Sequence, residues 1–79
     1  MTDLFEQEFM GLLSRGLVEF VELLPAPDGW YVRINGFQWL RSRQQHPHRF
    51  DHLENTLRYL HQLGCPRVMV SLDRWPSAS

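Results

Sequence analysis

Seventy-nine residues, 43% of them hydrophobic and with a formal net charge of −1, make one domain near the low end of what folds alone and too little positive charge for a dedicated polyanion binder. A single cysteine, Cys65, excludes an intramolecular disulfide and a cysteine-rich zinc site within one chain. No apolar run approaches the length of a membrane span, and the acidic start Met1-Thr2-Asp3-Leu4 is unlike the basic opening of a secretory signal, so a cytoplasmic location is expected.

In chain order, Asp3 with Glu6 forms a D-x-x-E cap, and Leu4, Phe5, Phe9, Leu12 and Leu13 recur at helical spacing until Gly16, which predicts a short amphipathic helix. Leu17 to Leu24, rich in Val, Leu and Phe, reads as a strand. Pro25-Ala26-Pro27-Asp28-Gly29 is a turn in which proline fixes φ and Gly29 can take a positive one. Trp30 to Ile34 alternates, with Trp30, Val32 and Ile34 on one side and Tyr31 and Arg33 on the other. Asn35-Gly36 is a strong hairpin signal leading into a third strand over 37–43, in which Phe37, Trp39, Arg41 and Arg43 share one parity.

After a polar loop containing Pro47, Asp51 and Glu54 make a second acidic capping pattern. Leu53, Leu57 and Leu60 fall at helical spacing, and Gly64 with Pro66 ends the helix. A last strand follows over 67–72, with Val68, Val70 and Leu72 inward.

The expected fold is α+β, in the order α-β-β-β-α-β. A right-handed crossover from strand three sets strand four beside strand one. The result is a four-stranded, mostly antiparallel sheet of order 3-2-1-4 with two helices on one face. The domain spans 1–73, with a short tail over 74–79 that carries Trp75. Tyr31, Arg33, Gln38 and Leu40 are the expected residues of the open sheet face.

Charge is segregated along the chain. Acids Asp3, Glu6, Glu8, Glu19, Glu22 and Asp28 face only Arg15 in the first stretch, whereas Arg33, Arg41, Arg43, Arg49, Arg58 and Arg67 face only Asp51 and Glu54 in the next. Lysine is absent, so every fixed side-chain cation is a guanidinium, suited to forked contacts with carboxylate or phosphate. His46, His48 and His52 around Asp51 match no standard metal spacing, and Arg49 among them would repel a divalent cation, so no metal is expected. No nucleophile elbow, redox motif, phosphate loop or paired-carboxylate signature is present, and neither an enzyme nor a cofactor is expected. Arg33, Trp39, Arg41 and Arg43 are the expected binding residues, because aromatics and arginine are the types that anchor interfaces.

Gly29-Trp30-Tyr31-Val32-Arg33-Ile34-Asn35-Gly36, Arg49 to Leu53, Leu57 to Leu60 and Leu63 to Val70 together resemble the short accessory proteins of bacterial plasmids and integrative elements grouped as ParC-type, partition-associated proteins. The resemblance covers about the C-terminal two-thirds and carries no defined catalytic or ligand residues. It implies a bacterial mobile-element setting and a non-enzymatic accessory role; taken with the small size, the segregated charge and the arginine and aromatic residues, the expected function is a non-catalytic protein-protein interaction module accessory to partition or maintenance, with a protein partner and a possible homodimer. The alternatives are a DNA- or double-stranded-RNA-binding domain using the arginine and aromatic surface, or a small partner-blocking inhibitor such as an anti-CRISPR protein.

Overall fold

The computed structural model describes residues 2–41 and 49–72, and the expectations that fall on Arg43, His46, His48 and the tail with Trp75 lie outside them. The chain is α+β. Its elements are β1 (Thr2–Phe5), α1 (Glu6–Ser14), β2 (Val21–Ala26), β3 (Gly29–Ile34), β4 (Gln38–Arg41), α2 (Leu53–Gln62) and β5 (Met69–Val70). The sheet has five strands in the order β1-β4-β3-β2-β5. The four expected strands keep their relative order inside it, but β1 joins as a fifth. With β1 parallel to β4 and β5 parallel to β2, the sheet is mixed and not mostly antiparallel.

The added strand comes from residues expected to open the first helix. Leu4 is buried while Asp3 and Phe5 on either side point away from the core, an alternation that suits a strand and not a helix turn. Phe5 remains extended (φ −80°, ψ 158°) and is the N-cap of α1. Its backbone N–H donates to the Glu8 carboxylate at 3.2 Å, so Glu8 supplies the reach-back half of a capping box and Asp3 supplies none. Both helices end in the same way. Gly16 (φ 69°) and Gly64 (φ 97°) take the left-handed conformation. Leu17 N–H then reaches Leu12 O at 2.9 Å and Cys65 N–H reaches Leu60 O at 3.0 Å, the signature of a Schellman stop.

One face of the sheet is covered by both helices. Phe9 of α1 and Leu60 of α2 are buried with Leu4, Val21, Leu23, Trp30, Val32, Ile34 and Leu40 in one core. Leu57, expected inward on α2, is instead exposed, and Thr56 occupies the buried stripe with Leu53 and Leu60. Its hydroxyl is satisfied by donating to His52 O at 2.9 Å, which lets a polar side chain sit at 0% exposure. His52 is the N-cap of α2 and makes no side-chain cap bond, so the expected Asp51 cap is not used.

Two turns set the register. Ala26 pairs with Gly29, so the first hairpin turns on Pro27 and Asp28 alone and Pro25 lies within β2, opposite Trp30. Proline is tolerated there because β5 pairs β2 only at Glu22 and Leu23. In the second hairpin Ile34 pairs with Gln38, leaving a loop of Asn35, Gly36 and Phe37. A two-residue Asn-Gly turn would have set Phe37 opposite Ile34. The additional residue reverses the faces of everything that follows it.

Candidate functional site

That reversal decides where the expected binding residues lie. Leu40 is completely buried and Gln38 shares its side, so both face the helices, correcting their expected place on the open face. Tyr31 and Arg33 are on the open face as expected. Trp39 and Arg41 join them there. Arg43 lies outside the described residues.

The strand register aligns the open face into rows. Asp3 pairs with Trp39, Trp39 with Arg33, Arg33 with Glu22 and Glu22 with Met69, one continuous row across all five strands. Arg33 makes a fork with Glu22: Nε donates to Oε1 at 2.9 Å and a terminal nitrogen donates to Oε2 at 3.0 Å. On its other side the guanidinium carbon lies 5.8 Å from the Trp39 ring centroid, within cation–π range. The Glu22 hydrogen bonds hold the Arg33 pKa above its already high ordinary value, partly offset by desolvation. Arg33 is therefore a fixed positive charge at any working pH.

Trp39 is also met edge-on by Tyr31, with centroids 6.2 Å apart and ring planes at 80°. The Tyr31 hydroxyl donates to Asp28 Oδ2 at 3.2 Å, and Arg49 donates to the same oxygen at 3.3 Å. Desolvation works to raise the Asp28 pKa, but its own backbone amide and these two side chains outweigh it and hold the carboxyl below its usual value. Arg41 Nε lies 3.0 Å from Asp3 Oδ2, a charge contact whose geometry does not align as a hydrogen bond. Phe5 and Met69 close the two ends of the face with exposed apolar surface.

The face thus carries two guanidinium–carboxylate pairs, an aromatic centre and apolar ends. Asp3, Glu22, Phe5 and Met69 were missed by sequence reasoning. Asp3 fits a helix cap equally well. Glu22, whose strand parity is opposite to that of Glu19, was the one available signal.

Burial pushes the Cys65 thiol pKa up, against a weaker opposing effect of its bond to Arg67 O at 3.1 Å, so the thiol keeps its proton at neutral pH. Among the described residues no group of three or more His, Cys, Asp or Glu side chains could hold a metal ion. Among them also, no helix is long and apolar enough to cross a membrane. No family model, curated protein or solved structure matches the chain.

Proposed function

We propose that this chain is a non-catalytic protein-protein interaction module that engages its partner through the face of the sheet opposite α1 and α2. The observation that carries the reading is the row Asp3, Trp39, Arg33, Glu22 and Met69. Trp, Tyr and Arg are the residue types that dominate interface hot spots, and here the guanidinium is already held in place, so little side-chain freedom is lost on binding. The process is partition or maintenance of a bacterial mobile element, on the resemblance to ParC-type accessory proteins.

Geometry favours protein over nucleic acid. Arg33 and Arg41 each face a carboxylate on the same surface, and a phosphate would have to displace Glu22 or Asp3 to reach them. A sheet of five strands is roughly 24 Å wide and its strands average roughly 15 Å in length, so the face offers on the order of 350 Å². Stable dimers bury about 800 Å² per subunit. The face is thus sized for a transient contact more than for a permanent homodimer.

The test is nuclease-treated affinity capture from the bacterium that carries the gene, with the native chain beside a Trp39→Ala, Arg41→Ala double variant whose folding is checked by circular dichroism. A protein retained by the native chain and lost from a folded variant is the expected result. Retention that depends on nucleic acid, or that the variant shares, overturns the reading.

A further inference from the structure

The outer edge of β1 and the side of α1 above it form a second surface, separate from the open face. Among the described residues β1 ends the sheet, with β4 on one side and no strand on the other, so it presents an edge to which another strand can add. β1 passes into α1 with no intervening residue. Four strand residues at roughly 3.3 Å each and nine helix residues at roughly 1.5 Å each span nearly equal lengths. The helix doubles back along the strand and returns Arg15 to the level of Gln38, which pairs with Thr2. Between them lies a groove of about 440 Å³, with Leu4 and Gln38 on the sheet side and Glu8, Gly11, Leu12 and Arg15 on the helix side. Those four helix positions are spaced as a single stripe.

Gly11 is the informative residue. Glycine inside a helix costs roughly 1 kcal/mol relative to alanine, yet Gly11 has no positive φ and a Cβ there would meet no atom within 4 Å. Neither backbone nor packing calls for glycine at this position. Its effect is to leave the groove open above Leu4 and Leu12. Arg15 closes one end of the groove with its Nε 3.4 Å from Gly11 O, and it makes no ion pair among the described residues. At the other end the Glu8 carboxylate is held by the Phe5 N–H.

From this we infer that the groove receives an extended peptide C-terminus. The peptide adds antiparallel to β1, which carries its C-terminal end toward Thr2 and Arg15. Its carboxylate meets the Arg15 guanidinium, and an apolar side chain near the end fills the hollow over Gly11. Glu8 at the opposite end repels a carboxylate and so fixes the direction.

The probe is a displayed library of random peptides with free C-termini, selected on the intact chain. Enriched sequences are then synthesised with a free carboxylate or a C-terminal amide and titrated by fluorescence anisotropy. Enriched peptides are expected to end in an apolar residue. Amidation, or Arg15→Gln in the protein, should weaken binding about tenfold or more, the loss of one charge-assisted hydrogen bond. Gly11→Leu should abolish binding while raising the thermal midpoint, since leucine is the better helix former. Backbone amide shifts should move at 2–5. The inference is overturned if no sequence is enriched, or if affinity is indifferent to amidation and to Gly11→Leu. It is equally overturned if the shifts gather at Tyr31, Arg33 and Trp39, which would assign the peptide to the open face.

Discussion

The side-chain amide of Asn35 holds Leu17 in place: Nδ2 donates to the Leu17 carbonyl oxygen at 3.1 Å across 18 positions of sequence. Its Oδ1 accepts from the backbone N–H groups of Glu19 at 2.6 Å and Phe20 at 3.2 Å. Asn35 also takes φ 53°, which asparagine tolerates better than most residues. The residue expected only to turn a hairpin therefore also secures the segment between α1 and β2.

Asn35→Ala removes all three hydrogen bonds and places a Cβ-bearing residue without a compensating side chain at positive φ. The expected loss is about 2–4 kcal/mol, from bonds worth about 1 kcal/mol each and a backbone cost of about 1 kcal/mol. Asn35→Gly relieves the backbone cost alone and should lose about 1 kcal/mol less. Urea unfolding of the two variants checks the order. If Gly is no better than Ala, conformation at position 35 contributes nothing.

Gly29 and Phe50 approach so closely that a Cβ on Gly29 would lie 2.4 Å from Phe50 O, with φ at 144° adding strain for any L side chain. The approach exists because Trp30 and Phe50 exchange backbone hydrogen bonds, at 2.7 Å and 3.1 Å, as an antiparallel bridge. Phe50 then packs against Tyr59 with centroids 5.1 Å apart and ring planes tilted by 41°, which fixes the entry into α2. Gly29→Ala should cost about 2–4 kcal/mol, in the range of a backbone clash that cannot relax. Hydrogen exchange should show the amides of Trp30 and Phe50 losing protection before the rest of the sheet. Uniform loss across the domain would instead mean that the bridge is not a separate unit.

Much of this architecture was legible because local signals and burial agreed. Gly64 and Gly16 stop their helices where the sequence places the stops, and Trp30, Val32 and Ile34 face the core as alternation requires. Misreadings arose where one short pattern fits two structures. Asp3-x-x-Glu6 reads as a cap, but four residues with Leu4 inward can equally add to an open edge, and only pairing with β4 decides it. Asn35-Gly36 announces a hairpin without fixing loop length, and the additional loop residue moved Trp39 and Arg41 to the face that holds Arg33. Thr56 was passed over because sequence cannot show that its hydroxyl is satisfied within its own helix. The row from Asp3 to Met69 depends on pairing across all five strands, which no local pattern encodes.

Arg33 and Glu22 form the best-aligned ion pair of the open face, with side chains only 25% and 15% exposed. Lysine keeps the charge at position 33 but loses the fork and the planar contact with Trp39. Arg33→Lys and Glu22→Gln should each cost about 1 kcal/mol, and a double-mutant cycle should return a coupling of about 1–2 kcal/mol. The coupling should persist at high salt more than that of Arg58 with Glu54, whose side chains are 63% and 83% exposed. A coupling near zero would leave the pair as an accident of crowding and remove its claim to preorganise the face.

Three groups make the fold sensitive to alkali. Tyr59 has its pKa raised by burial and then by its hydrogen bond to Glu6, which joins α2 to the start of α1. Tyr31 is raised by burial and by Asp28, and Cys65 by burial. Each binds its proton more tightly folded than unfolded, so the unfolded state carries fewer protons at high pH and stability falls as pH rises. These contributions are complete below the ordinary values of 9.0 for the thiol and 10.0 for the phenols, and are lost above them. Unfolding free energy should be level through neutral pH, begin to fall near pH 9 and fall faster beyond pH 10. Tyr59→Phe should cost about 1–2 kcal/mol at neutral pH, the lost bond to Glu6, and flatten the limb above pH 10 more than Tyr31→Phe does. Denaturant titrations from pH 7 to pH 11 would read both effects, since those limits bracket the ordinary values. A Tyr59→Phe limb as steep as the parent's would mean that proton retention at Tyr59 does not set the alkaline stability.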